Sequence, residues 1–244
     1  KGQAVIVCIP SKGRPDTKTY KLFESSGFKV IHFVEPQDYD SYKVDKVSIE
    51  KDDQGLSYCR NFILRYAKAN GLDWIWVCDD DITQFGRYDG KTKKTTADEL
   101  HRVARKAKQL PFEVVGINSR AFAWTAKKAI SINSKCPLAC VLLNVQNIHW
   151  EYAENTKEDI DFCLQAIEKG NGIMRFNHIF FDTPVVGTNK GGLHDWYATK
   201  KDAEASKALS LKWSPWVVLK LKPTRLDIKV DVKSFALHNC RRVI

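Results

Sequence analysis

Long apolar runs are missing from this sequence: no stretch of eighteen or more apolar residues occurs, so no segment reads as a membrane-spanning helix. Paired cysteines are missing too. The seven cysteines are scattered, their number is odd, and no two stand in a CxxC spacing, which removes the usual zinc-ribbon and dithiol redox patterns. Most lie inside apolar runs, such as Cys8 in VIVCIP and Cys78 in WVCDD, as buried thiols do in a reducing compartment. No signal-peptide pattern precedes the first strand-like run, Ala4 to Ile9, and no repeat, low-complexity tract or linker interrupts the chain. A cytoplasmic protein is the expectation. Acid is also in short supply: 29 Asp and Glu stand against 39 Lys and Arg, a formal charge of +10. Such a surplus is the footprint of a polyanionic partner, most commonly nucleic acid, and a nucleotide ligand would account for only a few of those charges.

What is present suits one large domain. The 244 residues are 43% hydrophobic and 28% charged, enough to bury a full core. AVIVCIP and KVIHFVEP read as buried strands, with a short helix between them that ends at Gly27. QGLSYCRNFILRYAKANG reads as a helix closed by Gly71, and DWIWVCDDD as a strand running into acid. Thr96 and Glu99 have capping-box spacing ahead of Leu100, Val103, Ala104 and Ala107, and Thr156 stands three before Asp159 at the head of another helix. That helix carries Ile160, Cys163, Leu164 and Ile167 on one face and stops at Gly170. VVGIN, CVLLNV and MRFNHIFFDTP add strands, residues 202–212 look helical, and the Lys-rich stretch from Trp216 to Phe235 looks strand-like. The alternation predicts a mostly parallel central sheet flanked by helices. Residues 1–200 would form the catalytic domain, and residues 201–244 a basic extension packed on it.

Chemistry concentrates at the predicted strand ends. Asp79, Asp80 and Asp81 follow five apolar residues, and ligands of open α/β sheets bind beyond the carboxyl ends of strands. Three adjacent carboxylates repel one another unless a cation intervenes, and an Asp-x-Asp pair can hold a hard divalent ion that also bridges a diphosphate. Pro10, Ser11, Gly13 and Arg14, in IPSKGRPD, offer a tight backbone, a hydroxyl and a guanidinium to ribose or phosphate. Glu35 ends the second strand, facing where a nucleoside would sit. Gln54, Ser57 and Arg60 open a helix whose amides favour an anion. Glu158, Asp159 and Asp161 lie in a first helical turn, where acids suit the macrodipole and one can act as general base. Asp159 is the candidate; Asp161 lies about 200° further round the helix. In the Gly-rich loop VVGTNKGGLHDWY, Lys190 with Gly191 and Gly192 would face the leaving diphosphate, and His194, with His178 as alternative, could complete a metal site.

In this order, IPSKGRP, VEP, QGLSYCRN, DDD and EDIDFCLQA resemble the GT-A glycosyltransferases, over roughly residues 4 to 194. The closest likeness is to the TET/JBP-associated glycosyltransferases of phages and the base J glucosyltransferase. The resemblance implies a GT-A-like, Rossmann-like fold and a UDP-sugar donor held through Mn2+ or Mg2+ by Asp79 and Asp81. It implies an inverting displacement with Asp159 as catalytic base, and a hydroxymethylated pyrimidine in DNA, such as 5-hydroxymethylcytosine, as acceptor. A phage-encoded protein in its host's cytoplasm is the matching location. The alternatives are a glycosyltransferase acting on a protein or glycan and a catalytically silent DNA-binding module. A sugar-nucleotide pyrophosphorylase is a poorer match, because no long Gly-rich phosphate loop stands near the N-terminus. Lys220, Lys222, Arg225, Lys229, Lys233, Arg241 and Arg242 of the tail are candidates for holding DNA phosphates, although alternating Lys equally describes a protected edge strand.

Overall fold

In a computed structural model of the chain, residues 4–184, 201–223 and 226–240 are described. Its centre is a ten-stranded sheet. The strands are β1 (Ile6–Ser11), β2 (Val30–Val34), β3 (Lys46–Ser48), β4 (Trp74–Cys78), β5 (Gln84–Tyr88), β6 (Thr92–Thr95), β7 (Val114–Ser119), β8 (Ile130–Ile132), β9 (Cys140–Asn144) and β10 (Ile173–Asp182). They lie in the order β3-β2-β1-β4-β9-β7-β10-β5-β6, with β8 on β10. The first four are mutually parallel, and β7 pairs parallel with β10; β9, β5 and β8 run against them. The sheet is mostly parallel in direction, as strand–helix alternation predicts.

Period-2 side-chain placement divides each central strand between two cores. Ile6, Cys8, Ile75 and Val77 face one cluster, while Val7, Ile9, Trp76 and Cys78 face the other. Helices α2 (Leu56–Ala69) and α5 (Glu158–Lys169) cover the first face through Ile63, Leu64, Phe162 and Ile167. Helices α1 (Lys18–Phe23) and α3 (Asp98–Ala107) cover the second through Phe23, Leu100, Val103 and Ala107. A fully buried Leu, Ile or Phe contributes about 1.5–3 kcal/mol, so each helix is held by a few such anchors. No described helix is long and apolar enough to cross a membrane.

The tail packs on the α2–α5 face through Leu209 and Trp213 of α6 (Lys201–Lys212) and the turn after it, and through Val217, Val230 and Phe235. It is not one strand-like run. Strands β11 (Val217–Leu221) and β12 (Leu226–Val230) form an antiparallel hairpin, and α7 (Val232–Asn239) follows. The reason is a cap: Asp231 accepts from the Ser234 amide at 3.1 Å and starts a helix that buries Phe235. Two other expected caps differ as well. Thr96 donates its hydroxyl to Asp98 at 2.8 Å instead of accepting from Glu99, and the Thr156 hydroxyl is buried without a partner among the described residues.

Candidate active site

After β1 the chain winds one way, to β2 and β3, and from β4 it winds the other way. The crevice between the carboxyl ends of β1 and β4 is therefore a topological switch point, the usual ligand position in open α/β sheets. The two predicted motifs emerge there side by side. Gly13 takes φ +64, a left-handed turn that only glycine adopts cheaply, and its amide donates to Asp38 at 2.7 Å. That turn sends Arg14 back across the crevice, where its guanidinium meets Asp80 at 2.6 Å. Ser11 donates to the other Asp80 oxygen at 2.7 Å. Since a carboxylate only accepts, the Tyr42 hydroxyl, 2.7 Å from Ser11 Oγ, is the donor to it, and it accepts in turn from the Arg14 amide at 3.1 Å. Thr19, on α1, fastens the acid turn by donating to the Asp79 carbonyl at 2.6 Å and accepting from the Ile82 amide at 2.8 Å.

Arg60 joins this turn to α5. It is 3% exposed, one nitrogen lies 2.9 Å from Asp79 and another 3.3 Å from Glu158, and the guanidinium sits 5.4 Å from the centre of the Tyr152 ring. Asn61 fixes the loop ahead of α5 by bonding both the carbonyl and the amide of Tyr152, at 2.9 and 2.8 Å. Desolvation by the surrounding chain pushes Asp79 up to about 6, with Asp81 and Asp80 adding repulsion and Arg60 opposing it. Glu158 is pushed up to about 7, first by burial and then by neighbouring Asp159, again against Arg60. Asp80 rises too, through burial, with Ser11 and Arg14 holding it back.

Both Asp80 oxygens are committed to Ser11 and Arg14. Asp81 raises the charging cost of Asp79, which a divalent cation would relieve, and hard carboxylates are the donors that Mn2+ or Mg2+ takes. Asp79 and Asp81 are the residues that would hold such an ion. Among the described residues no group of three or more His, Cys, Asp or Glu is gathered as a metal site. His194, Lys190, Gly191 and Gly192 lie outside the described residues, as do Arg225, Arg241 and Arg242. His178 is on β10, donating to the Ala126 carbonyl at 2.9 Å and packing against Tyr88.

The family model described as TET-Associated Glycosyltransferase matches residues 5–192. The chain belongs to this family. It spans the acid turn, Arg60 and the Glu158–Asp159 helix start, and the family is one of glycosyltransferases. No curated protein matches the chain. Among solved structures it is similar to CMP:2-keto-3-deoxy-manno-octonic acid synthetase complexed with CTP, at 11% identity and TM-score 0.47 over 85% of this chain and 100% of that one. It is also similar to the A197 protein from STIV, at 10% identity and TM-score 0.45 over 73% and 84%. A third likeness is to a cytidylyltransferase from Leptospira borgpetersenii, at 11% identity and TM-score 0.36 over 59% and 62%.

Within this TET-associated glycosyltransferase, the sequence candidates do not all converge. Pro10, Ser11, Gly13, Arg14, Asp79, Asp80 and Asp81 share the crevice. Glu35 ends β2 beside it, accepting from Gln37 at 2.6 Å and paired with Lys12 at 3.0 Å. Gln54 donates to the Asp52 carbonyl and Ser57 to the Ala153 carbonyl, so both side chains serve the loops around α2. Asp159 is half-buried in the first turn of α5 and acts electrostatically on both Arg60 and Glu158. Asp161 faces away, fully buried, accepting from Trp213 and Lys212 at 2.7 Å each. Tyr42, Thr19, Lys12 and Tyr152 went unnoticed in the sequence. No periodicity or motif marks them, because their roles come from contacts across about 20 to 90 residues of chain.

Proposed function

We propose that this glycosyltransferase moves a sugar from a UDP-sugar to the hydroxyl of a hydroxymethylated pyrimidine, 5-hydroxymethylcytosine, in DNA, with Mn2+ or Mg2+ and with inversion. The observation that carries this reading is Arg60, which ties the acid turn after β4 to the Glu158–Asp159 turn of α5. One buried cation thereby couples a donor-side carboxylate to the helix start that bears the base. Membership of the TET-associated family and the surplus of basic residues support DNA as the acceptor.

Asp79 and Asp81 would hold the divalent ion, with His194 as a further candidate ligand. When bound, the ion supplies charge neutralisation to the departing diphosphate. Ser11, Gly13 and Arg14 line the nucleotide's side of the crevice, and Glu35 closes it towards the nucleoside; Lys190, Gly191 and Gly192 are candidates for the diphosphate. Arg60 acts through the carboxylates it orients. Asp159 accepts the proton of the acceptor hydroxyl as that oxygen bonds to the anomeric carbon. The bond from that carbon to the diphosphate oxygen breaks on the opposite face, and UDP leaves with the electron pair. A hydroxymethyl group inside a duplex is out of reach of such a crevice, so the base is flipped out first.

UDP release tests the reading directly. With Mn2+ and a panel of UDP-sugars, release should rise on adding DNA that contains 5-hydroxymethylcytosine and stay at background with unmodified DNA. EDTA or Asp81→Ala should abolish it. Equal release with either DNA, or a rate indifferent to EDTA, would contradict the acceptor or the metal respectively.

A further inference from the structure

Two large apolar side chains stand in solvent two residues apart: Phe122 is 63% exposed and Trp124 62%. A single exposed apolar residue needs no explanation, but a Phe and a Trp on one turn do. They belong to α4 (Arg120–Ala123) and the residues after it, RAFAWTAKK, in which Arg120, Lys127 and Lys128 are also exposed. Aromatic and basic groups thus interleave over nine residues.

The backbone beneath them is fixed. Ala123 is 1% exposed and anchors α4 against the sheet, and Thr125 donates to the Phe122 carbonyl at 3.0 Å. His178 donates to the Ala126 carbonyl at 2.9 Å, and Asn177 to that of Lys128 at 2.8 Å. These two residues lie where the register of β10 against β7 shifts, between Phe176 and Phe180, and such a bulge re-aims side chains. The rings are held out on a rigid support.

The segment adjoins the active site. β7 points the same way as β4, so α4 leaves the sheet at the edge where Asp79–Asp81 emerge. Arg120 pairs with Asp182 at 2.8 Å, and the Asp182 carbonyl accepts from the Thr83 amide at 2.9 Å, two residues beyond Asp81.

We propose that residues 120–128 form a base-stacking platform for the acceptor DNA, an inference that rests on the reading of the acceptor given above. Phe122 and Trp124, about 200° apart around a helical turn, present separate faces to the two bases flanking a flipped nucleotide, and Lys127 and Lys128 meet the backbone. The basic charge of this segment and of the whole chain fits a polyanion.

The test is fluorescence anisotropy of a labelled oligonucleotide containing one 5-hydroxymethylcytosine, alongside transfer kinetics and UDP titration calorimetry. Phe122→Ala and Trp124→Ala should each weaken DNA binding about 5- to 100-fold and raise KM for DNA, with UDP affinity unchanged. Trp124→Phe should recover most of the loss. Wild-type DNA affinity and KM in both alanine variants would overturn the platform while leaving the proposed function standing. A wild-type protein that neither binds nor glycosylates this DNA would overturn both.

Discussion

At the ends of β1 and β4, Arg14, Arg60, Asp79 and Asp80 pair with one another under cover of the fold, whereas on the β11–β12 hairpin Lys220 and Lys229 stand exposed. Both regions are dense in charge. In the crevice, low solvent access makes an unpaired charge expensive, so each guanidinium is matched to carboxylates and each carboxylate to a donor. Around Lys220 and Lys229 water does that work and no particular geometry is imposed, although Lys222 nearby pairs with Asp227. Charge that must be paired builds a site; charge that need not be paired builds a surface.

The largest effect that would sharpen this contrast is on Arg60. Arg60→Met should leave Asp79 and Glu158 without their shared partner and cost about 3–5 kcal/mol in urea unfolding, together with loss of UDP binding. A loss below about 1 kcal/mol would break the contrast, because it would make the buried pairing no more valuable than a surface ion pair.

The next effect is on pH. His32 is fully buried in β2, and burial lowers its pKa from 6.5 to about 4, against the Asp45 backbone, which favours the charged form. Between those values the unfolded chain binds the extra proton. The contribution of His32 is therefore complete above about pH 6.5 and is lost as pH falls towards 4, about 3 kcal/mol in all. Urea unfolding of wild type and His32→Gln across that window should show the variant's curve as the flatter one; parallel curves would contradict the assignment.

Asp161→Asn keeps the shape but weakens the charge-assisted bonds to Trp213 and Lys212, and should cost about 2 kcal/mol and loosen the tail, visible as faster amide exchange in α6. Lys220→Ala with Lys229→Ala should change stability by less than about 0.5 kcal/mol. If these lysines hold phosphates, the double variant instead lowers the slope of log DNA affinity against log salt by roughly two.

The same physics explains what could be read from the sequence. Strands β1, β2, β4, β7, β9 and β10 and helices α2, α3 and α5 were legible because burial leaves an apolar run or a period. The short strands β3, β5, β6 and β8 carry too few buried residues to show one. The acid turn was legible because Asp79–Asp81 abut an apolar strand. The crevice as a meeting of Ser11, Arg14 and Asp80 was half legible: strand order is absent from the sequence, but each motif ends a strand. Tyr42 and Thr19 were not legible, since an isolated hydroxyl carries no pattern until the fold brings it to a partner. The Asp231 cap was present as Asp-x-x-Ser and was masked by the alternating Lys and apolar residues that precede it.

The central claim is that one crevice joins a sugar donor on the β4 side to a DNA hydroxyl activated at Asp159. Its most direct test is mass spectrometry of nucleosides digested from 5-hydroxymethylcytosine DNA after incubation with Mn2+ and UDP-sugars, for wild type and Asp159→Asn. The account predicts a pentose or hexose mass added to hydroxymethyldeoxycytidine by the wild type, and at least about 100-fold less by the variant. An adduct formed equally by both proteins, or none from any donor, would contradict it.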